Sequence, residues 1–218
     1  MEISFVGHSC FRLRGRDANV VIDPYGKGIG LATLVPSRFS ADVLAITHEH
    51  PGHNNRAMVG GDPKVITGPG EYEVKGVSIQ GVAAYHDDEN GARLGPVTMY
   101  SITLDDLVIA HLGDLGHGLS DVQQAQLGSI DILLLPVGGG NALSATQAMA
   151  VANQLEPKVV IPMHYKLPGL KLELDEPKHF AAEMGIEQLE FQPKLSLNSK
   201  PGSDDMKVIF LEARAAGA

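Results

Sequence analysis

The chain has 218 residues, 44% hydrophobic and 20% charged, which excludes a disordered polymer and fits one globular domain spanning 1–218. Its 26 acids against 17 Lys and Arg leave a net charge of -9, without the basic excess of nucleic-acid binders, and Cys10, the single cysteine, excludes an intramolecular disulfide and a thiolate-rich metal site. No stretch approaches the roughly 18 apolar residues of a membrane span, and the opening Met1-Glu2-Ile3-Ser4-Phe5 lacks a basic, apolar leader, so a cytoplasmic location is expected.

Short β-branched and aromatic runs cut by Gly or Pro predict strands over Glu2–Val6, Cys10–Arg14 and Asn19–Asp23, followed by a Gly-rich loop through Leu31. Asp42–Thr47 reads as a buried strand and His53–Val59 as a short helix ended by Gly60-Gly61-Asp62-Pro63. Lys64–Thr67, Val77–Ala84, Val97–Leu104 and Leu107–Leu112 read as strands, with a turn at Gly68–Tyr72, a polar loop over Asp87–Gly95 and a hairpin at Asp105-Asp106. Tyr72 is expected to line a cleft. Helices are predicted over Ser120–Leu127, over Ala145–Leu155 behind the capping box Ser144-x-x-Gln147, and from Pro177 to a closing Gly185. Between them lie strands Ile130–Pro136 and Lys158–Pro162; a polar loop over Lys194–Asp205, a strand over Lys207–Glu212 and a frayed Ala-rich tail follow. Two mixed sheets flanked by helices fit this order, an α/β (α+β) architecture.

His48-Glu49-His50-Pro51-Gly52-His53 stands directly after the apolar run Val43-Leu44-Ala45-Ile46. Side chains two apart on an extended segment share a face, and Pro51-Gly52 lets the chain turn before the third imidazole. One short loop can thus offer several nitrogen donors to a metal. His86, His111, Asp114, His117 and His164 are further candidates, most of them just past an apolar strand.

This block resembles the His-x-His-x-Asp-His loop of the metallo-β-lactamase superfamily, with Gly52 where the family has Asp. Gly7-His8-Ser9-Cys10 and Ile22-Asp23-Pro24 resemble the N-terminal pieces of the branch that holds the L-ascorbate-6-phosphate lactonase-like and UPF0173-type hydrolases. Tyr85-His86, His111-Leu112-Gly113-Asp114 and Pro162-Met163-His164-Tyr165 resemble its later motifs, in the same order. The resemblance implies an αββα sandwich with one or two divalent metal ions, zinc before Mn or Fe. It implies a first metal on His48, His50 and His86, a bridging Asp114, and a second metal on His53 and His164, with Asp114 and His164 catalytic. The implied reaction is hydrolysis of a small ester, lactone or phosphodiester, with an anionic substrate among the candidates, by hydroxide formed on the metal.

Gly52 offers no oxygen ligand, so a weakened second metal is expected, with His117, Asp87, Asp88 and Glu89 near enough in sequence to compensate. His8, Asp23, His111 and His117 are expected to line the cleft or orient a ligand; Asp23 suits a hydrogen bond to a ligand histidine, or else a turn cap. His179 reads as a helix-surface residue. Gly138-Gly139-Gly140 could receive an anionic group on its backbone N–H groups or form a tight turn. The alternatives are a catalytically impaired metal- or ligand-binding member of the fold, a nuclease, which the acidic balance disfavours, and, more distantly, a di-iron oxidoreductase.

Overall fold

The computed structural model describes residues 1–35, 37, 39–202 and 205–214. In chain order the strands are β1 (Glu2–Gly7), β2 (Cys10–Arg14), β3 (Asn19–Ile22), β4 (Val43–Ile46), β5 (Lys64–Thr67), β6 (Gly70–Val74), β7 (Val77–Tyr85), β8 (Pro96–Leu104) and β9 (Leu107–His111). Then come α1 (Asp121–Leu127), β10 (Ile132–Pro136), α2 (Ala145–Leu155), β11 (Val159–Met163) and α3 (Pro177–Glu183). Four two-residue strands follow: β12 (Phe191–Gln192), β13 (Leu195–Ser196), β14 (Lys207–Val208) and β15 (Phe210–Leu211).

Two mixed sheets form the sandwich that the sequence predicts, in the orders β13-β1-β2-β3-β4-β5 and β14-β11-β10-β9-β8-β7-β6. Parallel strands in a layered fold are covered on both faces, and β4, β10 and β11 are accordingly buried at every residue. Exposed positions alternate with covered ones along β6, where Glu71 and Glu73 face outward. The sheets share one apolar core; Phe11 on β2 meets the His111 ring on β9 edge-on at 6.1 Å. Tyr100 of β8 donates its hydroxyl to the Ile46 carbonyl at 2.9 Å, and Thr98 donates its N–H to the Thr47 carbonyl at 2.9 Å, so the second sheet holds the end of β4 directly.

The helices pack mainly on the second sheet, α1 against β7 and α2 against β10 and α3. Ser144 Oγ accepts from Gln147 N at 3.3 Å while Gln147 Oε1 accepts from Ser144 N at 3.0 Å, the reciprocal cap expected for α2. Ser120 and Gln123 do the same for α1.

Five expectations are corrected. Within 53–59 only Arg56–Met58 forms a 3-10 turn, because Asn55 is fixed by its N–H to the Pro24 carbonyl and its side-chain amide to the Tyr25 carbonyl. The turn at Gly68–Tyr72 is shorter than expected, since β6 starts at Gly70 and pairs antiparallel with β7. Tyr72 consequently turns its hydroxyl onto the Thr67, Gly68 and Pro69 carbonyls instead of lining the cleft beside His48 and His50. In 194–205, Leu195 and Ser196 pair with Ile3 and Glu2, so a short strand interrupts the loop; residues 203 and 204 lie outside the described residues. Lys207–Glu212 splits at Ile209, β14 joining β11 and β15 joining β12. The end of the Ala-rich tail, 215–218, also lies outside the described residues.

Candidate metal centre

Strand direction brings the chemistry to one edge. β1 and β3 are both antiparallel to β2, and β4 is parallel to β3, so these three end on the same side. His8, Asp23 and the His48–His53 loop follow their ends. β7 and β9 are both antiparallel to β8, and β9, β10 and β11 are parallel, so β7, β9 and β11 also end together. His86, Asp114 and His164 follow those ends. Ligand sites of open α/β sheets lie at such carboxyl ends.

Two groups of donors result, beside the overlapping trio Asp23, His48 and His53. Ligand atoms of His48, His50 and His86 lie within 4.8 Å of one another, and so do those of His8, His53, Asp114 and His164. Asp114 Oδ2 joins the groups, at 3.0 Å from His164 Nε2, 3.1 Å from His53 Nε2, 3.2 Å from His86 Nε2 and 3.9 Å from His48 Nε2. All these residues are buried except His50, which is half-buried at the mouth.

One carboxylate orients a ring in each group. Asp23, fully buried, accepts from the Thr47 backbone N–H through Oδ1 at 2.8 Å. Through Oδ2 it accepts from the Thr47 hydroxyl at 2.6 Å and from His53 Nδ1–H at 2.8 Å. A hydroxyl has one hydrogen. Thr47 spends it on Asp23, so Thr47 Oγ1 accepts from His48 Nδ1–H at 2.9 Å. Both His48 and His53 therefore carry a proton on Nδ1, which leaves Nε2 as the cleft-facing nitrogen that a cation would take, as in metal-binding histidines whose outer nitrogen is fixed by a hydrogen bond.

The electrostatics are tightly coupled. Burial alone would raise the Asp114 pKa, but His164 and His53 outweigh it and hold the carboxyl well below its ordinary value. Burial opposes a charge on His53, yet Asp114 and Asp23 together lift it to about 10. Burial, then the neighbouring His53, pushes His48 down to about 3. Burial, then His164 and His53, pushes His8 well below its usual value.

The residues fit a divalent cation. His48 Nε2, His86 Nε2 and His164 Nε2 are buried without a well-directed hydrogen bond, although His86 and His164 stand close to Asp114. Buried polar atoms without partners are costly, and a cation among them supplies the missing interaction. His48, His50 and His86 could hold one ion, and His8, His53, Asp114 and His164 a second.

Other candidates sit outside the two groups. His111 donates from Nε2 to the Ser9 carbonyl at 2.9 Å and accepts from Gly113 N at 3.1 Å, so it fixes the turn that carries His8. His117 Nε2 accepts from the Tyr85 N–H at 3.1 Å, beside His86 but not in the cluster. Asp87 turns away, accepting four backbone N–H bonds from Glu89, Gly91, Arg93 and Leu94. Asp88 is exposed and Glu89 faces Arg93, so these acids do not compensate for Gly52. His179 is half-exposed and faces Asp175. At the glycine run, Gly139 N–H is spent on the Leu143 carbonyl, and a Cβ on Gly138 would lie 2.1 Å from the His164 carbonyl oxygen. The run thus makes a tight turn that lets the His164 segment approach. Sequence reasoning passed over Thr47, whose adjacency to His48 was the available signal. His8, expected to line the cleft or orient a ligand, lies within the group of His53, Asp114 and His164.

A model of the β-lactamase superfamily domain matches residues 2–164. The chain is 30% identical over 191 residues to a UPF0173 metal-dependent hydrolase of Thermococcus onnurineus, covering 76% of this chain and 84% of that protein. It is 28% identical over 214 residues to one of Pyrococcus horikoshii, covering 84% and 93%. A Thermotoga maritima crystal structure, described as a candidate Zn-dependent hydrolase of the metallo-β-lactamase superfamily, superposes with a TM-score of 0.77 at 32% identity, covering 97% of this chain and 99% of that one.

Proposed function

Since this chain belongs to the β-lactamase superfamily domain family and is a metal-dependent hydrolase of that fold, we propose that it cleaves a small ester, lactone or phosphodiester with zinc as its cation. The observation that carries this reading is Asp114 Oδ2 standing between 3.0 and 3.2 Å from the Nε2 atoms of His53, His86 and His164, which come from both sheets. A divalent cation held there would supply Lewis acidity for the electrophile and would lower the pKa of water towards neutrality.

The protein's own residues do the rest. His48, His50 and His86 would hold the first cation, Asp114 would lie between the two, and His53 and His164 would hold the second. Gly52 brings no carboxylate, so the second position has one anionic donor fewer than the related loop would give it. Imidazole-rich, thiolate-free donors suit zinc, with Mn or Fe as substitutes. Asp114 stays ionised and can accept a hydrogen from the attacking water through Oδ2. Asp23 keeps His48 and His53 in the binding tautomer.

Beside His48 and His50 lies a cavity of about 370 Å³, walled by Ile46, Leu94, Pro96 and Val97. That falls at the lower end of small-molecule sites, roughly 300–1,000 Å³, and its largely apolar wall suits an apolar part of a substrate. A small substrate fits it better than a polymer.

The test is metal analysis of the purified chain, with hydrolysis of bis(4-nitrophenyl) phosphate, 4-nitrophenyl acetate and simple lactones measured before and after chelation. Activity on at least one substrate class should vanish with chelator, return with zinc and be abolished by His48→Ala. Turnover indifferent to both treatments would refute the proposal.

A further inference from the structure

We propose that His8 fills the place left by Gly52, completing the second cation position as His8, His53, His164 and Asp114. This rests on the reading of the cluster as a cation site given above. A side chain at residue 52, as in the related loop, would have to displace the His8 ring. A Cβ at Gly52 would lie 2.9 Å from His8 Nε2 and 3.2 Å from His8 Cδ2, so an imidazole already occupies that space. Glycine at 52 leaves the His8 ring in place, whereas a side chain there would press on it.

His8 is placed for this role from several sides. It is 1% exposed, and its Nδ1 makes no hydrogen bond. Its ring centroid lies 4.6 Å from that of His164 and 4.9 Å from that of His53, and one ring nitrogen lies within 4.8 Å of the donor atoms of His53, Asp114 and His164. Its backbone is fixed as well. His8 sits in the turn between β1 and β2 at φ 56, and His164 sits at φ 52, both in the left-handed region that residues with a Cβ rarely adopt. The His164 N–H donates to the His8 carbonyl at 2.8 Å, which locks the two turns together. The next residue, Ser9, is held by His111 through its carbonyl.

The exchange has a chemical consequence. A neutral nitrogen replaces an anionic oxygen, so the second position carries one negative charge fewer. Imidazole favours Zn(II) and Co(II), whereas carboxylate-rich sites favour Mn(II). The second position should therefore take Zn(II) or Co(II) and discriminate against Mn(II).

The experiment loads metal-free protein with Co(II), Zn(II) or Mn(II) and reads bound metal per chain after gel filtration, with the visible Co(II) absorption as an independent signal. The native chain should bind about two equivalents of Co(II) or Zn(II) but about one of Mn(II). His8→Ala should bind about one Co(II) and lose part of the absorption. His8→Ala/Gly52→Asp should regain the second equivalent and accept a second Mn(II). His8→Asn, which tolerates the left-handed backbone, replaces His8→Ala with the same expected loss if the alanine variant fails to fold. A His8 variant that keeps both equivalents at native affinity overturns the role of His8. A native chain that takes one equivalent overturns the second position while leaving the first, and one that takes none overturns the functional reading as well.

Discussion

Asp23→Asn tests whether one carboxylate sets the tautomers of the cluster. The amide has the shape of the acid but offers one acceptor oxygen and an NH2 donor. Asp23 accepts from Thr47 N at 2.8 Å, Thr47 Oγ1 at 2.6 Å and His53 Nδ1 at 2.8 Å. If the amide oxygen keeps the Thr47 N–H, the NH2 faces His53 Nδ1 and donates to it. The ring proton then moves to Nε2, which can no longer bind a cation. Loss of such an orienting partner typically costs 10–100-fold in metal affinity, or about 1.4–2.8 kcal/mol at 1.4 kcal/mol per decade. His48 suffers less, because the Thr47 hydroxyl can still accept from its Nδ1–H. Asp23→Asn should thus weaken the second cation about 10–100-fold and the first by less than about tenfold. The mismatched buried hydrogen bonds should cost about 1–3 kcal/mol of stability. Thr47→Val should do the reverse, weakening the cation on His48 more than the one on His53. Competition against a chromophoric chelator gives the affinities, and urea unfolding of the metal-free chain gives the stability cost. A folded Asp23→Asn that binds both cations as the native chain does would refute the tautomer argument.

Gly138→Ala places a methyl 2.1 Å from the His164 carbonyl oxygen, so it should cost about 3 kcal/mol or more and displace His164; an unchanged urea midpoint contradicts the tight approach. Although burial pushes the Asp87 pKa up, four backbone N–H donors hold it down at about 2, against 3.8 unfolded. Its contribution to stability is therefore present above about pH 4 and lost as the pH falls towards 2. Asp87→Asn should lower the melting temperature at pH 7 and flatten the acid limb of the stability curve, which thermal melts across that range would show. In the metal-free chain His53 is charged at pH 7.5, its pKa lying at about 10. Zinc binding should therefore release about one proton there, falling away as the pH rises through the value for His53. Calorimetry in buffers of different ionisation enthalpy measures this, and zero release at pH 7.5 would contradict the charged state.

Much of the fold was legible because its signals are local. Apolar runs ending in Gly or His marked β4, β7, β9 and β11, and the Ser144–Gln147 pair marked the start of α2. The convergence of His48, His50, His53, His86, Asp114 and His164 was readable from motif order, since each follows a strand end. What escaped depends on distant partners. β6 is poor in apolar residues and exists because β7 supplies its hydrogen bonds. β13 consists of two residues that pair with the opposite end of the chain. Thr47 carries no signature of its own; it matters because Asp23, 24 positions earlier, claims its single hydrogen.

The cluster straddles a seam. His8 and His53 belong to turns of the first sheet, His86, Asp114 and His164 to turns of the second, and the His164 N–H to His8 carbonyl bond crosses between them. An ion seated there acts as a rivet through both halves of the molecule. At a hundred times its dissociation constant, a ligand that binds only the folded chain adds about 2.7 kcal/mol to stability. The same linkage runs backwards: a packing fault far from the rivet, such as a smaller side chain at Phe11 where it meets His111, should surface first as easier stripping by chelators.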